Sequence, residues 1–261
     1  MKENITMKQA GVVGSGGVLR AGLVICLVAL AGCATGPKAD PRDPLEPLNR
    51  GVYQFNDAVD RALLKPVATA YRDVIPSPVR SGVANFFNNA QDGWSVLNNA
   101  LQLKGEQTGN SLMRFLVNTL LGLGGVLDIA SEMQIARSTE DFGQTMGFWG
   151  VGAGPYLMLP LLGPSTVRDT VALPVDGQGN LATSFGDVPV RNSLITLNLV
   201  NQRSRLLAAS AMLDQVALDP YTFTRDAFLQ RRQNDVYDGY PPDDLDLTEP
   251  LPEDSVEPTL K

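Results

Sequence analysis

The chain has 261 residues, two cysteines, no histidine and a formal charge of −7. Without an imidazole there is no histidine base and no histidine ligand, so histidine triads, Cys/His zinc sites and histidine-ligated haem are excluded, and carboxylate chemistry, Ser-Lys chemistry or no covalent chemistry remains. The acidic balance opposes phosphate backbones and argues against nucleic acid as a partner; no metal and no cofactor are expected.

Residues 1–32 read as a secretory leader. Lys2, Lys8 and Arg20 supply positive charge, and Ala21 to Leu30 form an uncharged stretch too short to span a bilayer. Leu30-Ala31-Gly32-Cys33 has the form of a lipobox, which makes Cys33 the acylated first residue of a mature chain with net charge −9. Cys26 leaves with the leader and the Cys33 sulfur carries lipid, so no disulfide can form within one mature chain. Palmitate-like acyl chains anchor at about 0.8 kcal/mol per buried CH₂. Ala34, where an aspartate would favour the inner membrane, points to the outer membrane and its periplasmic face. Residues 33–42 are short, polar and rich in Gly and Pro, as a flexible tether would be.

From Asp43 the pattern turns helical. Leu45, Leu48, Val52, Phe55, Val59 and Leu63 recur at steps of three and four, and Lys65-Pro66 is expected to stop that helix. Ser77-Pro78 predicts a capping serine and a first-turn proline for a second helix whose apolar face is Val83, Phe87, Ala90, Trp94, Leu97 and Leu101. A third helix is predicted over Glu106 to Leu121. The run from Leu120 to Leu127 is then apolar and glycine-dense, with Gly122, Gly124 and Gly125 where a soluble helix would carry alanine.

Met146 to Gly163 carries no charge over eighteen residues but contains Gly147, Gly150, Gly152, Gly154, Gly163, Pro155 and Pro160. Its length suits a membrane span, yet each break frees backbone groups that need other partners. Two readings stand: an interrupted segment at membrane depth whose freed backbone faces protein or a wet cavity, or a buried, loop-rich core segment of a soluble protein. Neither glycine cluster follows a strand or carries a Walker-type lysine, so a nucleotide cradle is disfavoured. Arg168 and Asp169 follow directly, either as an ion pair at a polar lining or as a plain surface salt bridge. Gly163 to Asp169 reads as a capped helix start, and Glu140 and Asp141 as solvated carboxylates. A polar loop is expected over Val175 to Asp187 and helices over Val190 to Val216 and Pro220 to Asn234, the latter capped by Asp219. Residues 238–261 hold eight acidic residues, five prolines and one lysine, too little apolar content to order a chain. Strand signals are few, so the fold is expected to be mostly α.

Several runs resemble the MlaA (VacJ) family of outer-membrane lipoproteins. Asp43-Pro44-Leu45-Glu46-Pro47-Leu48-Asn49-Arg50 with Tyr53-Gln54-Phe55-Asn56 is similar to its opening. Lys65-Pro66-Val67-Ala68, Tyr71-Arg72-Asp73, Val79-Arg80, Asn85-Phe86 and Asn98 follow in order, then Arg114-Phe115, Asn118-Thr119, Gly122, Gly124-Gly125 and Asp128. The most specific block is Phe142-Gly143-Gln144-Thr145, Gly147, Gly150-Val151-Gly152, Gly154-Pro155-Tyr156, Leu159-Pro160 and Arg168-Asp169, and Asp219-Pro220-Tyr221, Arg225 and Ala227-Phe228 close the series.

The resemblance implies an all-α, ring-shaped bundle of interrupted amphipathic helices over residues 43–237, embedded in one membrane leaflet, between the lipidated tether and a disordered acidic tail over 238–261. It implies a non-enzymatic protein, associated with a trimeric porin, whose amphipathic channel passes mislocalised phospholipid to a periplasmic carrier. On the same ground Asn49, Asn56, Gly124, Gly125, Gly150, Gly152, Gly154, Arg168, Asp169 and Arg203 are channel or gate candidates, with the loop Gly125 to Ser138 as the gate. A structural lipoprotein scaffolding an envelope complex is the competing expectation; a lipid hydrolase is disfavoured by the missing histidine.

Overall fold

A computed structural model describes residues 40–180 and 186–242; the leader, Cys33, most of the tether and the tail from 243 lie outside the described residues. The architecture is mostly helical. A first helix, α1 (Glu46–Val59), passes through a π-helical turn (Asp60–Leu64) into α2 (Lys65–Val74). The stop expected at Pro66 is therefore absent. A proline inside a helix lacks its N–H and presses on the carbonyl four residues back. Here the turn just before it is widened, with Lys65 N donating to the Asp60 carbonyl, which absorbs the misfit and lets the rod continue.

After a turn at Ile75-Pro76 the chain forms α3 (Ser77–Leu101) and α4 (Gly105–Leu120), which pack along each other. Ser77 is the first helical residue rather than the cap: Val79 N and Arg80 N both donate to the Pro76 carbonyl, and no side chain caps this end. The helix α4 ends where Gly124 and Gly125 adopt φ of +71° and +94°, sending their N–H groups back to the Thr119 and Asn118 carbonyls. Two short helices follow, α5 (Ile129–Glu132) and α6 (Phe142–Phe148).

The uncharged stretch resolves into the end of α6, a glycine loop and an antiparallel hairpin, the one addition to an all-helical expectation. Its strands are β1 (Tyr156–Leu159) and β2 (Gly163–Thr166), with Tyr156 opposite Thr166 and Leu159 opposite Gly163. Thr166 then caps α7 (Val167–Gly179) by accepting from Asp169 N, the capped start read from the sequence. The α7 helix carries Pro174 inside it and runs through residues expected to be loop. Tertiary contacts hold its last turn: Trp94 Nε1 and Phe142 N both donate to the Asp176 carboxylate, and Gly179 lies against the Trp94 ring. The last helices are α8 (Val188–Val216), packed along α2, and α9 (Pro220–Val236), capped by Asp219 as expected. Among the described residues no helix is long and apolar enough to cross a membrane.

The interior is polar where a soluble bundle would be greasy. On α3 and its C-cap the buried side chains include Asn89, Asp92, Ser95, Asn98, Asn99 and Gln102, while Leu97 and Leu101 are exposed. Leu103, Leu120 and Leu123 are 89%, 75% and 74% exposed. One apolar knot forms where Tyr53, Tyr156, Tyr221 and Phe228 meet edge to face, at 5.7 to 6.3 Å between ring centres.

The hairpin is fastened to α1 by two asparagines seven residues apart, two turns along one face. Asn49 donates to the Tyr156 carbonyl (3.1 Å) and accepts from Met158 N (2.9 Å); Asn56 donates to the Leu159 carbonyl (2.9 Å) and accepts from Leu161 N (2.8 Å). Each amide thus replaces a neighbouring strand. Because the Asn49 partners are buried, Asn49→Ala is expected to lower stability by about 2–4 kcal/mol through two orphaned backbone groups. Asn56→Ala, nearer solvent, should cost clearly less when thermal midpoints of the two variants are compared.

Candidate functional site

Two cavities stand out. The first, of about 370 Å³, opens between α3, α7 and α8. Phe87, Ala90 and Trp94 give it an apolar side, and Gln91, Asn198 and Gln202 a polar one. Glu140 and Asp141, read as solvated, instead lie at its floor. Glu140 is 2% exposed; its backbone N–H donates to Ser95 Oγ (3.0 Å) and its carboxylate accepts from Gln102 Nε2 (2.8 Å). Burial pushes the Glu140 carboxyl up from its ordinary value of 4.5, against the opposing pull of Gln102 and Lys104. Burial likewise raises Asp176 on the α7 wall.

The second cavity, of about 490 Å³, is walled by the glycine loop from Gly147 to Pro155 and floored by Arg168, Leu229, Arg232 and Val236. Arg232 on α9 bridges two carboxylates, Asp141 (2.6 Å) and Asp169 (2.8 Å), and Arg168 adds a bond to Asp169 (3.0 Å). Burial alone would raise Asp141, but the Arg232 hydrogen bonds and charge and the Gln144 donors outweigh it and hold its carboxyl below the usual range. Two guanidiniums face two carboxylates, so the group is neutral. Arg168 and Asp169 are both buried, which removes the surface salt-bridge reading.

Of the residues singled out in the sequence, Gly150, Gly152, Gly154 and Arg168 come together around the second cavity, with Asp169 bonded beneath them. The others lie apart. Asn49 and Asn56 hold the hairpin, and Gly124 and Gly125 end α4, where a Cβ on Gly125 would fall 2.7 Å from Asn89. Arg203 pairs with Asp60 at 2.7 Å, joining α8 to the π-helical turn. The segment from Gly125 to Ser138 is tied down by Arg114, which donates to Asp128 and the Ile135 carbonyl, and by Arg137 on Asp92. Cys33 lies outside the described residues.

The residues that line the first cavity were missed: Gln91, Asp176, Asn198, Asn201, Gln202 and Arg205. No spacing marks them, but one other pattern on α3 and its C-cap was also left unread. Asn89, Asp92, Ser95, Asn99 and Gln102 recur at steps of three and four, a polar stripe as regular as the apolar one.

Comparison with known proteins decides the family. Residues 41–235 match the MlaA lipoprotein family. The chain belongs to it. It is 37% identical over 221 residues to the "Intermembrane phospholipid transport system lipoprotein MlaA" of Escherichia coli strain K12, covering 80% of this chain and 85% of that protein. The protein of the same name from Haemophilus influenzae is 32% identical over 225 residues, covering 83% and 89%. A structure solved in work on the "Structural basis for maintenance of bacterial outer membrane lipid asymmetry" superposes with a TM-score of 0.66 at 34% identity, covering 74% of this chain and 98% of that one.

The family's glycines divide into two kinds on this geometry. A Cβ on Gly143 would fall 2.5 Å from Arg232 Nη2 and 2.6 Å from Asp169 Oδ1, whereas one on Gly152 would meet nothing within 4 Å. Gly143→Ala is therefore expected to destabilise by about 1–3 kcal/mol by prising apart the Arg232 bridge. Gly152→Ala should stay within about 0.5 kcal/mol of the parent. Thermal unfolding of both variants separates the two roles. For Glu140, raised above 4.5, the folded state takes up its proton first, so this residue adds stability as pH falls from 7 toward 4.5. The thermal midpoint of the parent minus that of Glu140→Gln should accordingly grow more positive over that interval.

Proposed function

We propose that this chain is an outer-membrane lipoprotein, anchored through Cys33 on the periplasmic side, that withdraws phospholipid from the outer leaflet and passes it to a periplasmic carrier. No bond is made or broken. The observation that carries this reading is the inversion of α3, which buries asparagines and an aspartate and exposes leucines. In water such a helix would be turned the other way. A surface rich in exposed leucine, on a chain whose described helices are unsuited to crossing a bilayer, fits residence within a single leaflet. The relatives' name supplies the substrate class, and a trimeric porin is the neighbour such a ring would lean on.

A lipid headgroup in hydrocarbon loses its hydrogen bonds to water, at several kcal/mol for each polar group. The cavity between α3, α7 and α8 offers replacements in Gln91, Asn198 and Gln202, while Phe87 and Trp94 give the acyl chains an apolar side. The glycine-walled cavity, with Gly150, Gly152, Gly154 and Arg168, serves as a second chamber, and the loop from Gly125 to Ser138 acts as the gate between leaflet and passage only on release of its Arg114 and Arg137 ties. Asn49 and Asn56 contribute by fixing the hairpin that carries the chamber's wall.

Gln91 and Gln202 are exposed residues lining the first cavity, so Gln91→Trp and Gln202→Trp should fold and reach the membrane while filling it. Cells carrying either variant in place of the parent are expected to accumulate outer-leaflet phospholipid nearly to the level of a strain lacking the chain. Outer-leaflet phospholipid at the parental level with the cavity filled would favour a scaffold over a passage.

A further inference from the structure

Most cations of the described residues are spoken for. Arg42, Arg50, Arg114, Arg168, Arg225 and Arg232 each reach a carboxylate within 3.4 Å or less, and Lys104 within 3.5 Å. Among the described residues only Arg80, Arg191 and Arg205 show no ion pair, and two of these three share one place. Arg80, in the first turn of α3, and Arg205, on α8, line a cavity of about 190 Å³ together with Ser77, Ser81, Asn85 and Asn88, and no carboxylate lines it. Ala84, Asn88 and Arg205 also line the larger cavity between α3, α7 and α8, so the smaller one is its mouth.

Three physical features act together at that mouth. Arg80 Nε donates to the Ile75 carbonyl at 3.0 Å, which fixes the guanidinium and leaves its terminal nitrogens as donors. The N-terminal end of α3 adds its positive dipole, uncapped by any side chain. Val79 and Leu206, next in sequence to the two arginines, are exposed apolar residues, so the guanidiniums emerge from a surface suited to hydrocarbon, where an uncompensated cation is costly. Water alone compensates charge poorly there; an oxyanion does it well.

We propose that Arg80 and Arg205 form a phosphate-binding step at the mouth of the passage, taking the phosphodiester of a phospholipid headgroup before it enters the larger cavity. This rests on the transport reading. Arg203, two residues away, has no part in it, because Asp60 already neutralises that side chain. The neutral quartet of Arg168, Arg232, Asp141 and Asp169 likewise offers no net charge to an anion.

The test uses the full acylated chain purified in detergent, equilibrated with phosphatidylglycerol or with diacylglycerol, which shares the acyl chains but lacks the phosphate. Retained lipid is then weighed by mass spectrometry. The parent is expected to retain phosphatidylglycerol over diacylglycerol. The Arg80→Gln/Arg205→Gln double variant should lose about tenfold of the former with no change in the latter. Arg191→Gln should match the parent, and Arg80→Lys/Arg205→Lys should recover part of the loss. A shifted thermal midpoint in the double variant moves the comparison to Arg205→Gln alone, an exposed residue. Undiminished phosphatidylglycerol in the glutamine variants overturns the phosphate step and leaves transport standing, whereas a parent that retains no phospholipid overturns transport itself. Titration of lipid-free protein with inorganic phosphate separates the sources: saturable binding that the double variant loses, with lipid retention unchanged, makes the pair a free-phosphate site and overturns the lipid assignment.

Discussion

The fold depends on satisfying the buried polar stripe of α3. A buried amide or carboxylate without a partner costs more than a hydrogen bond returns, so each such residue dictates what must lie opposite it. Asn89 requires Thr119 on α4 (2.9 Å), and Asp92 requires Arg114 (3.4 Å) and Arg137 (2.7 Å). Ser95 and Gln102 both take Glu140, Asn98 accepts from Thr145 on α6 (2.9 Å), and Asn99 donates to Ser111 (3.3 Å). A row of polar side chains along one helix thus sets the register of α4, the loop after α5, and α6. In an apolar solvent this is the sound arrangement, because hydrogen bonds strengthen as the dielectric falls and leucines outside cost nothing.

Charge follows the same logic. Burial raises the carboxyls of Asp92 and Glu140 even with guanidinium or ammonium groups beside them, while Asp141, whose side chain is also less enclosed, is held down because Arg232 grips it with two hydrogen bonds and Gln144 adds further donors. Beside the difference in exposure there is one of bonding geometry. A bidentate pair supplies enough hydrogen bonding to offset desolvation, and a shared or single contact does not. Asp141 and Arg232 come from elements far apart in sequence, α6 and α9, and together with Asp169 on α7 they close the chain around the glycine loop. Gly143 allows the arginine to reach that position, which explains a glycine in the first turn of a helix.

Much of the helical framework could be read directly, since α3, α4, α8 and α9 lie close to the ranges expected for them, α3 from its spacing and α9 from its Asp219 cap. Three local signals failed for one common reason. Lys65-Pro66 looked like a stop, Ser77 like a cap and Val175 like the start of a loop; each was overruled by tertiary or turn geometry that single-residue preferences do not contain. The π-helical turn before Pro66 is an example, because nothing in Asp60 to Leu64 announces a widened turn. The candidate site was legible only in part. Spacing located the glycine loop, Arg168-Asp169 and the apolar face of α3, but not the polar face of α3 that is buried. Leu97 and Leu101 lie outside and Gln102 inside, and a helix that is amphipathic in either sense shows the same period. The asparagines Asn49 and Asn56 were recognised as special from family pattern; their pairing with a strand edge needed the hairpin, which few strand-forming residues advertised.

The cavity between α3, α7 and α8 lies on a seam between two helix pairs, and this governs where it can widen. On one side α3 is fixed to α4 and the following loop by the polar spine described above. On the other, α8 lies along α2 more than along α3, joined by Arg203 to Asp60 (2.7 Å), Tyr71 to Asn201 (3.2 Å) and the looser Lys65 to Asp214 contact (3.7 Å). The two pairs are connected covalently through the extended turn at Ile75-Pro76, which Arg80 touches through its bond to the Ile75 carbonyl. Parting the seam there breaks few hydrogen bonds, whereas separating α3 from α4 would strand a row of buried amides and an aspartate. The line of fewest hydrogen bonds therefore runs between α3 and the α2–α8 pair, and the small cavity that Arg80 and Arg205 line together lies along it.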